Sequence, residues 1–170
     1  MSDIINSGFF FSPSRGNMTF QEVVKDIFSY MGDFKESSYE VIVGCDSPSS
    51  DKPFFPIAIV VLRTGAGGRF FLKKMNYPDE FMKKFVFWKN RILQEVYLSC
   101  ELALILRETL EKENNLNLKY QFQYIHADVG ENGKTKEMVK EVAGLIRSNG
   151  FEPRIKPMSF AASVVADRYT

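Results

Sequence analysis

Residues 39–46, YEVIVGCD, read as a strand that is apolar on both faces and closes on a carboxylate, Asp46. Such a strand needs a packed layer on each side, as a central strand of an α/β sheet has. Two more strand patterns follow, 54–63 and 69–75, joined by the TGAGG turn at 64–68. The three form an antiparallel meander. A helical region then runs from about Pro78 to Glu113. Unbroken, it would reach roughly 50 Å, so a break is expected near 86–90. Residues 119–128, KYQFQYIHAD, are a fourth strand, and Lys134 to Asn149 a helix stopped by Gly150. EPRIKP is a short fifth strand or edge piece, given Pro153 and Pro157, and SFAASVVADRYT closes the chain as a helix. Upstream, Thr19 and Glu22 have capping-box spacing for a helix over 19–31, with Gly32 as its stop. Residues 1–17 read as irregular.

This order predicts one α/β domain over residues 1–170. Its sheet is mixed and five-stranded, a three-strand antiparallel meander plus two parallel strands, with helices on both faces. If the long crossover brings the fourth strand beside the first, Asp46 and Asp128 end neighbouring parallel strands. Open α/β sheets bind ligands at that edge.

Composition removes several alternatives. The 170 residues are 45% hydrophobic and 25% charged, ordinary for one globular domain. A net charge of +1 neither favours nor opposes a polyanion partner, so any nucleic-acid surface must be local. The two cysteines, Cys45 and Cys100, and one histidine form no zinc pattern and read as buried thiols in a reducing cytosol. The longest apolar run, IAIVVL at 57–62, is strand-sized, and no signal peptide is visible. A cytoplasmic protein without membrane association is expected.

Two carboxylates at adjacent strand ends repel each other unless a cation lies between them, and all-oxygen ligation suits Mg²⁺ or Mn²⁺. Asp46 and Asp128 also suit a simpler role as caps of the loops that follow them. Glu95 heads a helical stripe that continues through Leu98, Ser99, Leu102 and Leu106, the face that should meet the sheet. A charge there needs a reason, unless its side chain snorkels out at the helix end. Glu101, its rival, aligns with Glu108 on what reads as the solvent side. Asp167, among the small apolar residues of VVADRYT, is either a fourth ligand or the ion-pair partner of Arg168.

An Asp on the first of three strands, a helix Glu, an Asp ending the fourth strand and an acid on a last helix is an order similar to that of the ribonuclease H-like superfamily. More closely, VGCDS and the tail ADVGENGKTKEMVKEVAGLIRSNGFEPRIKPMSFAASVVADRYT resemble the YkuK-type bacterial family of predicted ribonuclease H-like nucleases, over about residues 18–170. The resemblance implies a ribonuclease H-like fold and phosphodiester hydrolysis in RNA, RNA–DNA hybrid or structured DNA, assisted by two Mg²⁺ or Mn²⁺ ions. It implies that Asp46 bridges both ions, that Glu95 and Asp128 hold one, and that Asp167 holds the other. Where the superfamily often has Gly or Thr beside the first Asp, this chain has Cys45 and Ser47, and Ser47 becomes a candidate substrate contact. The other reading is an incomplete module that binds nucleic acid or a protein without cutting.

The remaining features are less specific. GKT at 133–135 lacks the earlier Gly of a P-loop, because that position is Asp128, so no nucleotide cofactor is expected. Lys134 can still approach a substrate phosphate, or be solvated with Lys136. Lys156 can do the same from IKPMS, where Ser159 reads as a helix N-cap. From Arg69 to Arg91 seven basic residues are interleaved with Phe81, Phe85, Phe87 and Trp88. That mixture fits either a nucleic-acid platform or rings packed inward. His126 shares a strand face with Asp128 and reads as a hydrogen-bonded core residue or a proton shuttle.

Overall fold

Apolar alternation and turn chemistry set the architecture of this computed structural model, which describes residues 3–161. The elements run α1 (Asp3–Asn6), β1 (Phe10–Ser12), β2 (Gly16–Met18), α2 (Phe20–Asp33), β3 (Tyr39–Cys45), β4 (Phe55–Arg63), β5 (Gly68–Met75), α3 (Asp79–Met82), α4 (Trp88–Glu113), β6 (Gln121–Gly130), α5 (Val139–Ser148) and β7 (Glu152–Lys156). Short 3-10 turns at Lys83–Val86 and Lys134–Met138 lead into α4 and α5.

The strands form one mixed sheet in the order β2-β1-β5-β4-β3-β6-β7. β3, β4 and β5 make the antiparallel meander, and β6 lies parallel to both β3 and β7. The crossover thus brings the fourth predicted strand beside the first.

Five strands were expected, and the described residues form seven. The extra pair, β1 and β2, is a hairpin whose Phe11 pairs with Leu72 of β5. It occupies the segment read as irregular, because strands of three residues are too short to show alternation. Gly16, at φ 76°, makes the left-handed turn the hairpin needs. Gly32 does not stop α2, which runs on to Asp33. Its φ is not among the positive ones, so it is only a weak helix residue there. The Thr19 capping box forms in both directions.

The main core lies on one side of the sheet. Val41, Val43 and Cys45 of β3 and Ile125, Ala127 and Val129 of β6 meet α2, α4 and α5 there. The other face carries Ile42 and Val60, covered by Ala161 with Phe160 beside them. Helices were expected on both faces, but those described share the first core. Of the predicted last helix, 159–170, the part from residue 162 onward lies outside the described residues. The long helical region breaks at Phe87, whose ψ of 114° is extended. This starts α4 at Trp88, at the sheet end where β3 and β6 finish.

Candidate active site

Parallel pairing of β3 with β6 puts Gly44 opposite His126 and Cys45 opposite Ala127. Two residues beyond the first pair, Asp46 and Asp128 leave the same end of adjacent strands. The Asp46 N–H continues the ladder by donating to the Pro56 carbonyl at 3.3 Å. Asp128 lies in an irregular stretch, since β6 spends four residues from His126 to Gly130 while β7 spends two from Arg154 to Lys156. Across this stretch Lys156 Nζ reaches Asp128 Oδ1 at 3.0 Å. A Cβ on Gly130 would stand 3.1 Å from Lys156 Cβ, so glycine permits the close strand approach. The Gly130 N–H donates to Thr135 Oγ1 at 3.0 Å, which ties the GKT turn to the strand end.

Glu95 faces the same edge from α4. It is 6% exposed, whereas Glu101 is exposed, so of the two helix acids only Glu95 points inward. Ser47 holds it. The Ser47 N–H donates to Glu95 Oε1 at 2.9 Å, and the Ser47 hydroxyl makes a short hydrogen bond to the same oxygen. Burial raises the Glu95 pKa to about 8; the Ser47 bonds oppose the rise, and the charges of Asp46 and Asp128 add to it. Glu95 is therefore mostly a neutral acid at pH 7. Beside it, burial first and then Glu95 and Asp46 push the Cys45 thiol up. Cys45 and Cys100 are both free and buried.

Sequence reasoning treated Ser47 as a substrate contact and missed its bond to Glu95. The two are 48 residues apart, and no local pattern links them. Lys156, also read as a phosphate contact, pairs with Asp128, a contact the sequence did not show.

His126 is 1% exposed, and its Nδ1 accepts from the backbone N–H groups of Phe160 and Ala161 at 3.1 and 3.2 Å. Two donors to Nδ1 assign the proton to Nε2. Burial, then the Arg154 charge, lowers its pKa to about 4. A histidine so fixed anchors the incoming chain at 160–161 and is poorly suited to shuttle protons near neutrality.

The stretch from Arg69 to Arg91 does not form one basic surface. Arg69 donates to both oxygens of buried Asp26 at 2.9 Å, alongside Arg15 at 3.1 Å. Lys73 is buried, and burial lowers its pKa. Phe85 packs inward against Phe55 and Tyr77. Phe81, Val86 and Phe87 remain exposed, and Lys134 Nζ lies 4.8 Å from the Trp88 ring centroid.

Asp46, Glu95 and Asp128 are oxygen donors at one edge, the right kind of set for Mg²⁺ or Mn²⁺. They are not gathered into a metal cage. Among the described residues, no three His, Cys, Asp or Glu side chains form a group able to hold an ion. Ser47 engages Glu95, and Lys156 engages Asp128. Asp167, the fourth predicted acid, lies outside the described residues.

The family model described as "Ribonuclease H-like" matches residues 22–170. The chain belongs to the ribonuclease H-like family. It is also 30% identical over 174 aligned residues to "Uncharacterized protein YkuK" of Bacillus subtilis (strain 168), covering 97% of this chain and 98% of that one. No solved structure matches at a significant level. The ribonuclease H-like match contains the meander, β6, β7 and all four predicted acids. The β1–β2 hairpin precedes it. Among the described residues of this ribonuclease H-like chain, no helix is long and apolar enough to cross a membrane.

Proposed function

We propose that this protein is a divalent-metal-dependent nuclease that hydrolyses phosphodiester bonds in RNA, RNA–DNA hybrid or structured DNA. The observation that carries the reading is Glu95, a buried carboxylate on a largely apolar helix face, its pKa raised to about 8 at the edge where Asp46 and Asp128 end. A carboxyl group desolvated and crowded by like charge at the end of a sheet is a functional-site signature. Family membership supports the same reading.

Asp46, Glu95 and Asp128, joined by Asp167, would hold Mg²⁺ or Mn²⁺, two ions in the full reading. Bound ions supply Lewis-acid stabilisation of a scissile phosphate and a hydroxide-like nucleophile. The protein's own work is positional. Ser47 fixes one oxygen of Glu95 and leaves the other for a proton or a ligand. Lys156 balances the Asp128 charge and supplies a cation within reach of a phosphate. His126 secures the chain at 160–161, close to the strand end that carries Asp128.

The second reading is a binding module that does not cut. It is favoured by the absence of a three-ligand group among the described residues and by the Asp128–Lys156 pair, which neutralises one acid internally. A cleavage assay with Mg²⁺ or Mn²⁺ over hybrid, single strands, duplexes and junctions separates the two. The nuclease reading expects cleavage of at least one substrate, abolished in Asp46→Asn. Cleavage unaffected by that substitution removes the assignment, and binding without cleavage of any substrate favours the module.

A further inference from the structure

We infer that Phe87, backed by Trp88 and with Lys134 beside it, forms a stacking platform for a single-stranded nucleic-acid segment entering the Asp46–Asp128 edge. The inference rests on the nucleic-acid reading above and deepens it by naming the substrate class. Its placement follows from topology. β3 and β6 finish at one end of the sheet, where antiparallel β4 begins and β5 ends. α3, the 3-10 turn and the start of α4 follow β5 at that end, and the GKT segment follows β6 there. Trp88 precedes Glu95 by seven residues, about 10 Å along the helix axis. A nucleotide stacked at Phe87 would therefore lie only one or two nucleotides from the acids.

The chemistry fits an unpaired base beside a phosphate. The Phe87 ring is 53% exposed at the break before α4, and its centroid lies 6.5 Å from that of Trp88 at an interplanar angle of 51°. Burying such a ring would follow ordinary packing, yet this one faces solvent. Lys134 Nζ at 4.8 Å and Lys89 Nζ at 5.6 Å flank the indole. Lys89 is partly neutralised by Glu137 Oε1 at 3.2 Å, whereas Lys134 makes no ion pair among the described residues and is left for a phosphate. Trp88 is half-buried against the main core with the two lysines over its ring, so Phe87 is the ring left open to a base. An exposed ring beside a lysine binds single strands by stacking plus backbone attraction, tolerant of sequence. In a duplex the base faces are already stacked on their neighbours and are closed to Phe87.

Trp88 is the one tryptophan of the chain and so reports on its own surroundings. The test is run in EDTA, so that nothing is cut. Labelled oligothymidylate, oligouridylate and a DNA duplex, each of about a dozen units, are titrated by fluorescence anisotropy while Trp88 emission is followed. The expected result is single-strand binding at least roughly tenfold tighter than duplex binding, with Trp88 quenched. Phe87→Ala weakens single-strand binding roughly fivefold or more. Lys134→Ala flattens the dependence of log affinity on log salt by about 0.7. Equal affinity for duplex, no binding by any oligonucleotide, or wild-type affinity in Phe87→Ala overturns the platform. Failure of the nuclease reading is distinct: single-strand binding with the expected variant effects, but no cleavage when metal is restored, leaves the platform standing.

Discussion

Ser47 donates twice, through its backbone N–H and its hydroxyl, to the single oxygen Oε1 of Glu95, and so joins the loop after β3 to the buried face of α4. Both residues are buried, so each bond replaces one that water would otherwise supply. Ser47→Ala removes the hydroxyl donor and is expected to cost about 1 kcal/mol in urea unfolding. It should also raise the Glu95 pKa further, because the lost donor favoured the ionised form.

The pH dependence of stability without metal follows from two buried groups with opposite signs. Folded Glu95 keeps its proton to about pH 8, whereas the unfolded chain releases it near 4.5, so this group makes stability fall as pH rises between those values. Folded His126 stays neutral down to about 4, whereas the unfolded chain protonates it near 6.5, so this group makes stability rise with pH over that interval. The slopes offset one another from about 4.5 to 6.5. Above that, Glu95 acts alone, and stability falls towards pH 8 by up to about 1.4 kcal/mol per unit. Glu95→Gln should abolish that fall in a series of chemical denaturation curves.

Much of this site was legible in the sequence, and the reason is local chemistry. A strand apolar on both faces must be central, and a fourth strand reached through a long helical crossover can lie parallel beside it, the placement on which the Asp46–Asp128 neighbourhood depended and which the sheet shows. Helical spacing put Glu95 at the head of the stripe that meets the sheet, but whether its side chain turned in or snorkelled out at the helix end was not legible until Ser47 was seen to hold it. Contacts that bridge distant elements were not legible. Ser47 to Glu95, Lys156 to Asp128 and Arg69 to Asp26 depend on how far a flexible side chain reaches after packing. The β1–β2 hairpin was hidden because its strands are shorter than the period needed to detect them.

Lys156 and Asp128 form a half-exposed pair, so breaking it should change stability little, by less than about 1 kcal/mol. Its ammonium competes with any cation for Asp128. Lys156→Met is therefore expected to tighten Mn²⁺ binding several-fold, which calorimetric titration can measure.

Arg69 and Arg15 serve Asp26, which is only 6% exposed, and the pairs tie the β1–β2 turn and β5 to α2. Removing Arg69 leaves a buried carboxylate with one partner. Arg69→Ala is expected to cost about 2–3 kcal/mol in urea unfolding and to speed proteolysis near residue 15. Affinity for oligonucleotides should be unchanged, since Arg69 belongs to the scaffold.

Calorimetric titration of Mn²⁺ into the metal-free protein, compared with Asp46→Asn and Asp128→Asn, addresses the convergence of the acids most directly. The account predicts saturable binding by the wild type, weakened at least roughly tenfold in either variant, with binding tightening as pH rises towards 8 because Glu95 must lose its proton to ligate. No saturable binding, or binding that neither substitution weakens, would contradict it.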